Sequence, residues 1–584
     1  MFKENNQHLQ HPLFSTISSL PDKQQKRLKD SWAGTFYEDI FTRIRERDFE
    51  VLYSDEPSRP NIPINVLVGL EILKAGFGWT DKEMYEGFCY NLQVRYALGY
   101  HNLEEGHFEV RTTYNFRGRL TTHMRETGEN LFEACFENIT DEQMKAYALK
   151  SGTQRTDSKQ IASNIRRMTR LQLLIEVLQR TYRMLQAADK LAYHAQLEPY
   201  IQEKSGQYLY RLKGEKHQSH IEQVGMVMQK LVRELADTYQ EDAAFITLKR
   251  VFNEHFIVEE TGLRPKKGDE LTADSLQSPD DLEATFRRKR NESHVGYVTN
   301  VTETADPDNS FQLITKVQTE SNTTDDAQML ADALPNLVER TDLDTMHIDG
   351  GYNSAEVDAI CHDAGVELVQ TAIRGGKPSS TQLNLADFTF TLNENEEPVM
   401  LICPNGKVGR VEAGRKANRY TATFSRGDCS DCPLLANCPM RVLKRGGDRR
   451  LYFATADIYL AHRRQRMMLE KKSGRNLRAA VEATVREISC RLEHGRLRVR
   501  GKFRVGMTMI ASAAMANARR IWRYQQAEKT AAERLLRAQK GQVVGIFGEI
   551  RSLFRLRGRI SGRTSYFTVL ATFFTRSQNL RVVF

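Results

Sequence analysis

At 584 residues, with 40% apolar and 27% charged side chains, the chain is long enough for two to four domains and has the balance of a soluble globular protein. Its net charge of +9 favours a polyanionic partner, either nucleic acid or an anionic membrane surface. The start, Met1-Phe-Lys-Glu-Asn-Asn-Gln-His8, lacks the apolar stretch of a signal peptide, and no apolar run approaches the roughly 18 residues that cross a bilayer. A cytoplasmic protein is therefore expected.

Residues 1–50 carry no strong motif. Beyond them, Arg59-Pro-Asn-Ile-Pro-Ile-Asn65 leads into Val66-Leu-Val-Gly-Leu-Glu-Ile-Leu-Lys74, with Pro63 suited to a first helical turn. Thr80-Asp-Lys-Glu83 reads as a capping box, and further helices are expected at Asn91–Leu98 and Thr112–Arg125. Residues 1–145 thus read as a helical domain that either binds DNA or serves packing and dimerisation. A short strand is expected to end at Asp157, followed by long helices with an apolar stripe at Leu171, Leu174, Ile175, Leu178, Tyr182 and Leu185. Residues 262–283 read as a loop.

Strands are then expected at Val295–Thr302 and Phe311–Gln318, a helix at Asp325–Leu337, a strand at Thr345–Asp349, a helix at Ser354–Ala364 and a strand at Val366–Thr371. With the Asp157 strand first, this order resembles a ribonuclease-H-like domain carrying a long insertion. The expected fold class is a multidomain α+β or α/β chain: a ribonuclease-H-like mixed sheet over 146–372, interrupted by a helical insertion at about 160–290, then a Cys-rich insertion over 373–455. Core helices at 456–525 and a basic tail at 526–584 follow. A long basic helix is expected from about Ile458 to Glu493, with Glu482 on it.

Three acidic residues carry the chemistry. Asp157 lies in Gly152-Thr-Gln-Arg-Thr-Asp-Ser158, Asp349 in Met346-His-Ile-Asp-Gly-Gly-Tyr-Asn-Ser354, and Glu482 in Arg478-Ala-Ala-Val-Glu482. Brought together, three carboxylates can hold two divalent cations about 3.5–4 Å apart for in-line phosphoryl transfer. Taken singly, each acid also suits a turn or a solvated helix face, and Glu487 and Glu493 compete with Glu482 by spacing. Oxygen ligands suit Mg²⁺, with Mn²⁺ as a substitute.

Cys403, Cys429, Cys432 and Cys438 form a candidate zinc knuckle, the alternative being four reduced, partly buried thiols. Arg496, Arg498, Arg500, Lys502 and Arg504 alternate as one basic edge of an extended segment, suited to DNA phosphates. After Glu549 the tail has seven arginines and no acids, with Phe567–Phe574 apolar; it suits DNA binding, packing or disorder.

Together these motifs resemble the DDE transposases of bacterial insertion sequences, and within them the insertion-sequence 1182 family. The likeness rests on Arg59–Leu73 and Asn91–Gly99, on Asp157-Ser158 and Asp349–Ser354, on Arg478 and Glu482 of a Tyr-Arg-Glu-Lys helix motif, and on Arg500-Gly501 and Asn517–Arg520. Arg475 stands where that motif has Tyr, and Ser489 where it has Lys. The resemblance implies catalytic, metal-binding Asp157, Asp349 and Glu482. It also implies DNA contacts by Arg478 and Arg475, strand cleavage and transfer at transposon ends, and a homodimer or larger assembly on DNA. A catalytically degenerate DNA-binding relative and a nuclease that never joins strands are the alternatives.

Overall fold

The fold is that of a computed structural model, which describes every residue except 11, 13, 55, 57–58, 213–216, 261, 290, 371–380, 394–396, 444–445, 474–476, 490–495 and 558–584. The side chains of 470–473 and 539–557 likewise fall outside the description. Two compact units result, Met1–Ile521 and Trp522–Phe584.

Helices α1 (Asp22–Lys29), α2 (Trp32–Asp39), α3 (Ile64–Phe77), α4 (Asp81–Tyr90), α5 (Leu92–Ala97), α6 (Arg111–Thr127) and α7 (Leu131–Ala146) build the N-terminal region. Pro63 is the N-cap of α3, and Thr80 and Glu83 close the expected capping box on α4. Because α3 is apolar nearly all round, it is buried from Ile64 to Leu73. Its core is continuous with that of the sheet that follows: Phe36, Leu70 and Phe116 belong to the same cluster as Tyr297, Val301, Val317 and Val485.

Strand β1 (Thr153–Ala162) does not end at its acid as expected. It continues five residues past Asp157, because β5 pairs with it along its length. Then comes a helical insertion: α8 (Arg170–Met184), α9 (Ala187–Ile201), α10 (Ser205–Arg211), α11 (His217–Glu234), α12 (Ala236–Tyr239) and α13 (Ala243–His255). It holds a core of its own, with Leu174, Leu178, Val224, Met228, Leu248 and Val251 buried. After it β2 (Phe256–Glu259) pairs with β3 (Gly262–Pro265) in a hairpin, so the stretch read as loop, 262–283, starts with a strand.

Strands β4 (Thr285–Lys289), β5 (Glu292–Thr304) and β6 (Ile314–Ser321) return the chain to the main sheet; helix α14 (Asp326–Arg340), β7 (Thr345–Ile348), α15 (Ala355–Asp363) and β8 (Glu367–Gln370) complete it. The sheet runs β4-β5-β1-β7-β8, with β6 also on β5. β5 is antiparallel to β1 and to β6, whereas β1, β7 and β8 are mutually parallel.

Residues after 380 form a second, antiparallel sheet of β9 (Thr389–Leu392), β10 (Pro398–Ile402), β11 (Val408–Ala413), β12 (Arg419–Phe424), β13 (Arg441–Val442) and β14 (Arg449–Ala454), with a one-turn helix α16 (Arg426–Cys429) after β12. The expected long helix is two: α17 (Thr455–Ser473) and α18 (Ala479–Ser489), separated by residues that include the undescribed 474–476. Helix α19 (Lys502–Arg557) follows. The apolar tail segment Phe567–Phe574 lies outside the described residues. Among the described residues no helix is long and apolar enough to cross a membrane.

Candidate active site

The parallel pairing of β1 with β7 matches Thr153 with Thr345 and Arg155 with His347. Continued two residues, that register sets Asp349, just past the end of β7, level with Asp157 within β1, so two acids distant in sequence lie side by side. Each is then fixed locally. Asp349 caps a short turn by accepting the Gly351 N–H at 2.6 Å, and Asp157 Oδ1 accepts the Ser158 N–H at 3.0 Å.

Helix α18 brings the third group. Its apolar face, with Val481, Val485 and Ile488 buried, packs into the main core, while Glu482 projects from the first turn with its side chain 61% exposed. Arg478, in the turn just before α18, joins the three acids. Its Nη2 lies 3.1 Å from Asp157 Oδ1 and 3.5 Å from Asp349 Oδ2, and its Nη1 lies 3.4 Å from Glu482 Oε1. Positions 157, 349 and 482 therefore meet around one guanidinium. Burial raises the Asp157 carboxyl above the ordinary aspartate range, with Arg478 pulling the other way. Burial works against the Arg478 charge, but Asp157 and Asp349 outweigh it and hold the guanidinium above its usual value.

Glu487, a competitor for the third position, is engaged elsewhere: it pairs with Arg520 at 3.1 Å. Glu493 and Arg475 lie outside the described residues. Ser489, the other departure from the motif, accepts a hydrogen bond from Lys159 at 2.6 Å, which brings a lysine from β1 to that end of α18.

Sequence reasoning missed two things here. One is Asp326, read only as part of a helix start, whose buried carboxylate accepts the Ser158 hydroxyl at 2.8 Å. The other is the frame behind α18. Glu303, fully buried on β5, meets Arg155 at 2.7 Å and Arg520 at 2.7 Å. Arg155 also donates to the Leu477 carbonyl, one residue before Arg478. The Asn517–Arg520 motif thus has structural work: Asn517 exchanges two 2.9 Å hydrogen bonds with the Ile314 backbone, and Arg520 holds Thr484 of α18 at 2.6 Å.

The basic segment differs from its expectation. Arg496, Arg498 and Arg500 are exposed around buried Leu497, as an alternating strand would place them. Gly501, at φ +85°, then turns the chain into α19, so Lys502 and Arg504 are helical rather than extended. Arg500 pairs with Asp280 at 3.6 Å, Lys502 with Glu320 at 2.9 Å and Arg498 with Glu83 at 3.9 Å.

Cys403, Cys429, Cys432 and Cys438 line one small cavity of about 20 Å³. Burial raises the Cys429 thiol, with Arg449 acting the other way. Among the described residues, no three His, Cys, Asp or Glu side chains form a group that could hold a metal ion as they stand, neither the four cysteines nor the three acids around Arg478. The sulfur arrangement therefore does not by itself establish the expected zinc knuckle.

Residues 402–522 match the family model described as a transposase DDE domain. That match supports a DDE transposase. It spans Arg478, Glu482, the four cysteines, the basic segment and Arg520, but neither Asp157 nor Asp349. No curated protein and no solved structure matches the chain.

Proposed function

We propose that this chain is a metal-dependent DNA transposase that binds the ends of an insertion sequence, cleaves a DNA strand there and joins the freed 3′ end to target DNA. One observation carries the reading: three carboxylates from β1, the β7 end and α18 converge on Arg478, inside a chain whose residues 402–522 match a transposase DDE domain. The sheet order and strand directions support a ribonuclease-H-like core, and the motifs support placement near the insertion-sequence 1182 family. Asp157, Asp349 and Glu482 are proposed as ligands of Mg²⁺, or of Mn²⁺ in its place; their all-oxygen chemistry suits these ions, while as placed they surround Arg478 and form no ready-made cation site. When bound, such cations activate water and stabilise the departing 3′ oxygen.

The chain's own residues do the positioning. β1 and β7 present two acids from a rigid sheet, and α18 adds the third from a packed helix. Arg478 neutralises the acids now within its reach and is proposed to contact a DNA phosphate near the cut. Exposed Arg496 and Arg504 would carry phosphate contacts, with Arg498, Arg500 and Lys502 exchanging their carboxylate partners for DNA. Work on DNA ends in a dimer or larger assembly, in the cytoplasm, completes the proposal, with a structural zinc at Cys403, Cys429, Cys432 and Cys438.

The test is purified protein on the DNA end of its own element, with and without Mg²⁺. Nicked and joined products that require the metal are expected. Metal-independent binding without nicking would leave only a DNA-binding protein, and nicking without joining of a pre-nicked end would leave a nuclease.

A further inference from the structure

Between Lys407 and Arg450 the sequence holds eleven Lys and Arg against four Asp and Glu, whereas the whole chain holds 84 against 75. The second sheet sorts this charge by face. Arg410 of β11 pairs with Thr423 of β12, Thr423 with Arg450 of β14, and Arg450 with Arg441 of β13. Residues directly opposite one another across strands share a face, so these four form one row over four strands. Alternation along the strands puts Glu412, Thr421 and Tyr452 in the next row of that face, and Arg419 beyond them.

The opposite face is the core of this sheet, with Val411, Ala422, Phe424 and Phe453 buried in it. The arginine row therefore faces outward: Arg410, Arg419 and Arg441 are exposed, Arg450 is half-buried, and Tyr452 is 55% exposed. Among the described residues no acid pairs with any of these four arginines. Asp428 is taken by Lys407 at 3.6 Å. Arg441 and Arg450 stand directly opposite each other, and like charges so placed repel. A polyanion lying along the row would relieve that repulsion.

The length of the row points the same way. Three strand spacings of about 4.8 Å give it about 14 Å. Duplex DNA carries one negative charge per about 1.7 Å of its axis, so roughly eight fall along such a row. Arginines with a threonine hydroxyl among them suit phosphate oxygens, contacts that position DNA without reading its bases.

We infer that the outward face of the second sheet is a further DNA-binding surface, which holds the phosphate backbone of duplex DNA irrespective of sequence; this rests on the reading of the chain as an enzyme that acts on DNA. The full chain, titrated with duplex DNA over a range of salt, tests it. Combined Arg410→Gln, Arg441→Gln and Arg450→Gln should lower the slope of log affinity against log salt by about 3, equally on the element's end and on an unrelated duplex. Thr421→Arg, which adds a cation to the same face, should raise the slope by about 1 and serves if the triple variant does not fold. An unchanged slope in the folded triple variant or in Thr421→Arg, with a wild type that binds DNA, would overturn this surface and leave the carboxylate site standing. Loss of binding to anionic phospholipid vesicles in the triple variant, with its DNA slope unchanged, would assign the face to a membrane and overturn the choice of DNA. A wild type that binds duplex DNA through these arginines yet nicks nothing in Mg²⁺ would support the surface and overturn the transposase reading alone.

Discussion

Arg520→Met probes the frame that holds α18 in place. Arg520 reaches Glu303 at 2.7 Å, Thr484 at 2.6 Å and Glu487 at 3.1 Å, with its side chain 13% exposed. Removing one member of a buried ion pair costs about 3–5 kcal/mol when its partner is left unmatched. Glu303 keeps Arg155 at 2.7 Å, so the loss belongs near the lower bound, about 3 kcal/mol. Glu303→Gln is the harsher change, because two guanidiniums then face one neutral amide. The functional effect follows from geometry. Thr484 and Glu487 lie on the helix that presents Glu482, and a misplacement of about 1 Å at a reacting centre costs on the order of 100-fold in rate. Thermal melting and a Mg²⁺-dependent nicking assay read the two effects separately. A melting temperature lowered by several degrees is expected, with nicking reduced on the order of 100-fold and DNA affinity retained. Unchanged melting together with unchanged nicking would refute the idea that this buried network positions the third acid.

Asp157→Asn, Asp349→Asn and Glu482→Gln should each reduce nicking more than about 100-fold, beyond the usual effect of residues behind a metal ligand, while DNA binding by gel shift persists; retained cleavage removes that residue from the site. Arg496→Ala, Arg504→Ala and Lys502→Ala should each lower the slope of log affinity against log salt by about 1; a clearly smaller effect of Lys502→Ala would show that Lys502 stays with Glu320 on binding. Cys429→Ser or Cys432→Ser should release zinc in elemental analysis, and an unchanged, metal-free wild type would dispose of the zinc proposal. Burial and the nearby charges of Arg170 and Lys266 lower the pKa of His255 in the helical insertion to about 4. Its neutral form is the folded one, so stability is complete above the unfolded value near 6.5 and falls as pH drops toward 4, by at most about 1.4 kcal/mol per pH unit. Hydrogen exchange in α8 and α13 should accelerate over that window, and His255→Leu should flatten the response.

Local signals were legible wherever the physics is local. The Thr80–Glu83 capping box, the β-branched runs of β5 and β6 and the apolar stripe of α8 follow from hydrogen bonding and side-chain period, and they appear within a few residues of where the sequence places them. What spacing could not show were boundaries set by a distant partner. β1 outlasts Asp157 because β5 accompanies it to Ala162, and an extended basic run stops at Gly501 because α19 must turn back to bury Val505 and Met509 against the core.

The site shows the same division more sharply. Each acid alone describes a turn or a solvated helix face, and only the parallel register of β1 with β7 sets Asp157 beside Asp349. Glu482 and Glu487 are indistinguishable by helical spacing, yet they face opposite duties: Glu482 meets Arg478 and stays open to solvent, whereas Glu487 is claimed by Arg520. That assignment is made by a cation 33 positions away in the sequence, held in turn by Glu303, a strand residue no motif singled out. A charge pattern therefore proposes which side chains can do chemistry, and the buried counter-charges decide which of them are left free to do it.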